Sequence, residues 1–168
     1  MHRPTVHVET NQKKLILNFK KIKISTDELV ENFEFLGDWE ERFSYLIELG
    51  KNLPPLESEE KIETNRVYGC QATVYLCMIP APCEPPVFTI RADADAFIVK
   101  GLISILLLLY NDKTAKEIIK TNALDFFRKL GLDKHLTMTR RNGLHSMVER
   151  IDTLAKESLY GDGESDNV

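Results

Sequence analysis

The sequence predicts an α+β domain in which a small antiparallel sheet of about three strands is covered by helices. Three observations lead there. Apolar residues recur with helical spacing over residues 25–50 and again from residue 95 to residue 160. Between them, one stretch alternates with period two, and a proline-rich connection separates it from a second, shorter alternating run. Helices gathered on one face of a short sheet bury the apolar sides of both.

In chain order, Ser25 and Glu28 have capping-box spacing, with Leu29, Val30, Phe33 and Leu36 following on one helical face. Gly37 supplies a stop. Asp38, with Glu41 three residues on, starts a second helix whose stripe is Trp39, Phe43, Leu46 and Ile47, ended by Gly50 and Pro54-Pro55. From Val67 to Ile79 the period becomes two. Ala72, Val74, Leu76 and Met78 share one side, while Gln71, Thr73, Tyr75 and Cys77 share the other. The prolines of Pro80–Pro86 cannot sit inside a sheet, so this segment is expected to connect a hairpin. Phe88, Ile90 and Ala92 form the inward side of the returning strand.

Asp93 or Asp95 is expected to cap the next helix, whose Ile98, Leu102, Ile105, Leu106 and Leu109 leave hardly a polar side. Thr114 and Glu117 make another capping box, and a short helix over Leu124–Leu130 stops at Gly131. Arg140 and Arg141 precede a last helix striped by Leu144, Met147, Val148, Ile151, Leu154 and Ala155. The expected division is a basic extension over residues 1–24, a domain over residues 25–160 and a disordered acidic tail over residues 161–168.

Composition narrows the function. A net charge of −4 argues against a protein built around nucleic acid. The apolar run Leu102–Tyr110 falls well short of the roughly 20 residues of a membrane span and reads as a buried helix. Three cysteines without close pairing suit a reducing cytosol better than a disulfide framework. The cytoplasm is therefore the expected location, or an organelle matrix or stroma if residues 1–24 are a targeting segment.

Thiol chemistry stays open. Cys70 follows Gly69, which permits a sharp turn and removes a side chain beside the sulfur. Its parity matches Ala72, Val74, Leu76 and Met78, so a strand reaching it would aim the sulfur at the core. It reads equally as a small buried residue or as a presented nucleophile. Cys77, on the polar side of mid-strand, and Cys83, in the proline-rich connection, read as inert. Cysteine spacings of seven and six residues match no metal knuckle, and His2, His7, His135 and His145 show no paired ligand spacing. Asp95 alone fits any helix N-terminus, and Arg140 alone fits a solvated surface.

Together these segments resemble the SufE family of sulfur-acceptor proteins, including its CsdE type. The stretches are Asp38-Trp39-Glu40-Glu41-Arg42-Phe43 with Leu46–Lys51 and Leu53-Pro54, then Asn65–Gln71 with Val74-Tyr75-Leu76. Asp95-Ala96 with Ile98–Ile103 follows, then His135-Leu136-Thr137 with Arg140 and Gly143-Leu144. The likeness runs in order over roughly residues 25–158. It implies a fold related to IscU-like scaffolds, and an acceptor that takes persulfide sulfur from a SufS-type cysteine desulfurase, stimulates it, and passes sulfur to a SufB-containing scaffold complex. It maps the acceptor cysteine onto Cys70 and supporting residues onto Asp95 and Arg140. No cofactor is implied on this chain; pyridoxal phosphate belongs to the partner. The chain would then be a sulfurtransferase-like accessory rather than a stand-alone enzyme, with no membrane or nucleic acid among its partners and a homodimer left open. Two departures stand out: Ala94, where relatives carry a small polar residue, and the proline-rich connection itself. The alternatives are an IscU-like metal or Fe–S scaffold using Cys70, and a regulatory module that stimulates a desulfurase without carrying sulfur.

Overall fold

The computed structural model describes residues 24–161. The expectations for a basic extension and an acidic tail lie outside the described residues, apart from Ile24, which is buried, and Gly161, which is exposed.

Two helices open the domain. Helix α1 (Thr26–Phe35) is capped by Ser25, whose hydroxyl accepts from the Glu28 amide while the Glu28 carboxylate accepts from the Ser25 amide. After Gly37, α2 (Trp39–Lys51) starts where Asp38 accepts from the Glu41 amide. These caps satisfy amide donors that a helix start leaves free.

The sheet has four strands in the order β1 (Arg66–Val67), β2 (Val74–Pro80), β3 (Val87–Ala94) and β4 (Lys113–Thr114), every neighbouring pair antiparallel. This is the small antiparallel sheet expected, with four strands against about three; β1 and β4, two residues long each, are too short to show any periodicity. The expected continuous strand from Val67 to Ile79 is broken: β1 turns back on β2, pairing Val67 with Val74, so residues 68–73 are a hairpin loop. The connection across Pro80–Pro86 does join β2 to β3, whose register pairs Leu76 with Ala92 and Met78 with Ile90. Val74, Leu76, Ile90 and Ala92 are buried on the core face.

Helix α3 (Phe97–Tyr110) runs through the centre, with Gly101–Leu106 buried in one unbroken run. Its one polar interior side chain is satisfied, since Ser104 donates from Oγ to Leu49 O (3.1 Å) and Lys100 O (3.0 Å). Neither Asp93 nor Asp95 caps this helix; Ala96 occupies the N-cap without a side-chain bond. Both carboxylates are committed elsewhere. After α4 (Ala115–Lys120), α5 (Ala123–Lys129) and the short α6 (Leu132–His135), helix α7 (Met138–Tyr160) closes the domain. It starts earlier than its apolar stripe suggests, because Thr137 accepts from the Arg140 amide. Arg140 and Arg141 therefore lie in its first turn rather than before it.

Helices α2 and α3 meet at glycines. A Cβ on Gly101 would overlap the Leu46 carbonyl and lie 2.7 Å from Leu46 Cγ; one on Gly50 would strike the Phe97 carbonyl and lie 2.9 Å from Lys100 Cβ. The two backbones are in contact, and neither can yield by rotating a side chain. Gly101→Ala is therefore expected to destabilise the fold by about 3 kcal/mol, the upper end for overpacking a filled core. Urea unfolding checks this: the midpoint should fall at constant m-value, and an unchanged midpoint would contradict the contact.

Candidate functional site at the Cys70 hairpin

The loop at residues 68–73 is shaped by its contacts on two sides. Gly69 has φ +91°, a left-handed value that only glycine adopts without strain. A Cβ there would overlap Ser146 Oγ and sit 3.2 Å from Ser146 Cβ, so the loop backbone lies directly on α7. One residue on, Cys70 meets the same helix one turn earlier. Its thiol donates from Sγ to Gly143 O at 3.4 Å, and a Cβ on Gly143 would come within 3.3 Å of that sulfur.

The outgoing end of the loop is held by Asp95. Its Oδ1 accepts from the Thr73 amide at 3.0 Å, and its own amide donates to Thr73 O at 3.3 Å. Asp93, buried in β3, instead ties down the segment ahead of β1. Its carboxylate accepts from the Leu56 amide (3.4 Å) and the Ala94 amide (2.9 Å), and Lys61 and Lys100 each approach it to 3.6 Å. A buried carboxylate is tolerated when hydrogen bonds and cations compensate its desolvation.

Beside the sulfur lies a pocket of about 310 Å³. Ala72, Val99, Leu102, Leu144 and Met147 form its apolar wall, while Asp95, Thr139 and Arg140 bring polar groups to it. Asp95 and Arg140 are both exposed, so they stand towards solvent. Among the described residues the Arg140 guanidinium has no hydrogen-bond or ion-pair partner. The geometry thus brings all three sequence-predicted residues, Cys70, Asp95 and Arg140, around one cavity.

Cys70 is half-buried, and that burial pushes its thiol above the ordinary cysteine value. At neutral pH the resting group is a thiol donating to a carbonyl, a quiescent form of a nucleophile that reacts as thiolate. Its core-facing direction agrees with the expectation, but the reason differs. Strand parity does not reach residue 70; the Gly143 carbonyl aims it. Cys77 lies in mid-β2 opposite Arg91, its thiol pushed up by burial and by Glu60, with Arg91 opposing. Cys83 is exposed, its thiol 3.6 Å from Pro85 O. His135 is stacked on the Trp39 ring at 3.7 Å between centroids. Among the described residues no group of three His, Cys, Asp or Glu side chains could hold a metal, so the scaffold alternative lacks a donor set there.

Comparison with known proteins bears directly on this geometry. A family model described as SufE, Fe–S metabolism associated domain, matches residues 27–155. The chain belongs to the SufE family. It is 42% identical over 136 residues to an uncharacterized SufE-like protein of Rhizobium meliloti, covering 80% of this chain and 97% of that one. A second uncharacterized SufE-like protein, of Rhizobium etli, is 44% identical over 133 residues, covering 79% and 90%. The fold resembles the solution structure of a hypothetical protein from Thermus thermophilus, with a TM-score of 0.64 at 20% identity over 80% of this chain and 95% of that one. Membership places the chain in sulfur transfer for Fe–S metabolism, with a cysteine desulfurase as the general type of partner.

Several residues that shape this candidate site were not legible as such. Gly143 carried a signal only as part of its Gly-Leu pair. Ser146 and Thr73 carried none, and Asp93 was read as a helix cap although its partners lie far away in sequence. Two outcomes check the clasp. Alkylation of Cys70 should rise with pH through a midpoint above the ordinary thiol value, because only thiolate reacts. The matching stability contribution is present below the ordinary value and fades as pH climbs towards the raised one. Asp95→Ala keeps the backbone bond to Thr73 O but loses the carboxylate's bond to the Thr73 amide, worth about 1.4 kcal/mol, so it should speed alkylation at neutral pH about tenfold and lower Tm by a few degrees. Unchanged alkylation would contradict the clasp.

Proposed function

We propose that this protein accepts sulfane sulfur on Cys70 from a SufS-type cysteine desulfurase, stimulates that enzyme by clearing its persulfide, and delivers sulfur to a SufB-containing scaffold complex. The observation that carries this reading is the seat of Cys70: a thiol on a glycine turn, fixed by a few weak bonds, opening onto a small pocket.

The chemistry needs no redox partner. The Cys70 thiol loses its proton, and the thiolate attacks the outer sulfur of the donor's Cys–S–SH. The donor's S–S bond breaks as a new S–S bond forms, the donor cysteine leaves as thiolate and takes up the proton, and Cys70–S–SH remains. This is thiol–disulfide exchange, governed by thiolate fraction, leaving group and access. The chain supplies access and protection rather than a cofactor; pyridoxal phosphate is needed only on the desulfurase.

Each resting feature has a consequence for this cycle. Burial keeps the thiol protonated between encounters. The apolar wall offers the persulfide's outer sulfur a place away from water and small thiols. Release requires breaking the Cys70–Gly143 contact and the Thr73–Asp95 pair, a loop motion of the kind that gates many sites. Arg140, without a partner among the described residues, lines the pocket and would favour the thiolate once the loop moves. We place the cycle in the cytoplasm; no helix among the described residues is long and apolar enough to cross a membrane.

The test is incubation with a desulfurase and cysteine followed by mass spectrometry. The wild type should gain one sulfur, on the peptide containing Cys70, and accelerate cysteine turnover. Cys70→Ser should do neither, whereas Cys77→Ser and Cys83→Ser should load normally. Loading of Cys70→Ser would end the assignment. Arg140→Ala should fold with an unchanged Tm and transfer sulfur about tenfold more slowly, the loss of roughly 1.4 kcal/mol of charge stabilisation; unaltered transfer would remove it from the mechanism.

A further inference from the structure

Asp95 lines two cavities, the Cys70 pocket and a separate one of about 210 Å³. The second lies on the sheet face where Tyr75 of β2 stands opposite Asp93 of β3. Its polar wall is Lys61, Lys100, Asp93, Asp95, Thr73 and Tyr75. Two cations and two carboxylates leave no net charge there, so charge alone draws in neither a simple anion nor a simple cation.

These groups differ in what they have left to offer. Asp93 is fully engaged: Oδ1 accepts from the Ala94 amide and meets Lys100, while Oδ2 accepts from the Leu56 amide and meets Lys61. The lysines are not. Each ammonium has three donors, and at 3.6 Å from Asp93 neither makes an ordinary hydrogen bond to it. Their side chains stay 44% and 26% exposed. Asp95 gives Oδ1 to the Thr73 amide, whereas its Oδ2 has no partner among the described residues. The Thr73 and Tyr75 hydroxyls have none there either. Free donors for a carboxylate and a free acceptor for an ammonium therefore share one small cavity. A ligand with both charges a short distance apart satisfies the two sets together, and a ligand with one charge leaves the other set unmet.

We infer that this cavity binds a small zwitterionic α-amino acid, its carboxylate between the Lys61 and Lys100 ammoniums and its ammonium on Asp95 Oδ2. The volume suits a side chain the size of that of alanine or serine. Exposed ion pairs are weak, so turning the lysines towards a ligand costs little while Asp93 keeps its two amide donors. The site is complete only while the loop is docked, because Thr73 belongs to the hairpin loop and Asp95 follows β3. A ligand that binds the docked form alone favours it by a factor of 1 + [ligand]/Kd, and so holds Cys70 closed. Binding does not depend on the sulfur-acceptor reading above, but its use does. Removing sulfur from cysteine leaves alanine, so the donor's product would restrain its own acceptor.

The experiment is an NMR titration of the full-length protein, without desulfurase, with L-alanine and with L-serine, the oxygen analogue of cysteine. The Thr73 and Tyr75 amide signals should shift saturably, with Kd in the millimolar range. N-acetyl-L-alanine and L-alaninamide, each lacking one of the two charges, should leave them in place. At about ten times Kd, L-alanine should slow Cys70 alkylation about tenfold. Lys61→Gln removes an exposed ion pair that adds little stability, so it should keep the wild-type Tm and lose both effects. The site is wrong if neither amino acid gives a saturable shift, if the singly charged analogues shift the signals equally, or if Lys61→Gln responds like the wild type. Binding that leaves alkylation unchanged overturns the hold on the loop. Should Cys70 fail to take sulfur from a desulfurase while alanine still binds, the sulfur-acceptor reading falls and the amino-acid site stands.

Discussion

A thiol pressed against the backbone of a helix sits there without crowding where the helix offers no side chain. Gly143 meets this condition for Cys70, and Gly69 meets it in reverse, bringing loop backbone down on Ser146. The two glycines face opposite ways across one seam. Together they let the hairpin between β1 and β2 lie flat on α7, which places the sulfur at a helix carbonyl and beside the pocket. Burial, raised thiol pKa and restricted access all follow from that contact.

The rest of the domain holds the seam in register. The α2–α3 contact through Gly50 and Gly101 sets the central helix against the sheet, and α3 contributes Val99 and Leu102 to the pocket wall. Near the end of β3, Asp95 holds the outgoing arm of the hairpin at Thr73, while Asp93 ties down the segment at Leu56 and Lys61 that precedes β1. The strength of these ties is unequal. The incoming arm is held by its ladder with β2, Arg66 opposite Tyr75 and Val67 opposite Val74, whereas the outgoing end of the loop depends on a pair of hydrogen bonds to an exposed aspartate. Motion should therefore begin at Thr73, with the Arg66–Val67 end acting as the anchor.

Local chemistry was the legible part of this chain. The caps at Ser25, Asp38 and Thr114 have their partners three residues away, so spacing alone reveals them. The ordered motifs around Cys70, Asp95 and Arg140 pointed to the site because each is itself a short segment. What escaped was set by distant partners. Residues 67–79 alternate as one strand would, yet Gly69 with φ +91° and Ser146, far along the chain, turn the start of that stretch into a loop. Asp93 looks like a cap until Leu56 and Lys61 are seen to claim it. Strands of two residues, like β1 and β4, contain no period to read.

A carrier thiol has to be reactive to its donor and unreactive to everything else, and a rigid site could not satisfy both demands. The seam reconciles them by making the resting state a docked loop and the working state a released one. Hydrogen exchange at the Thr73 amide reads that transition directly, because its acceptor is the Asp95 carboxylate. The isolated protein should protect this amide, and addition of the desulfurase should accelerate its exchange while Cys70 gains sulfur. If Cys70 is loaded while exchange at Thr73 stays as slow as in the free protein, the loop does not move and this account of the site is wrong.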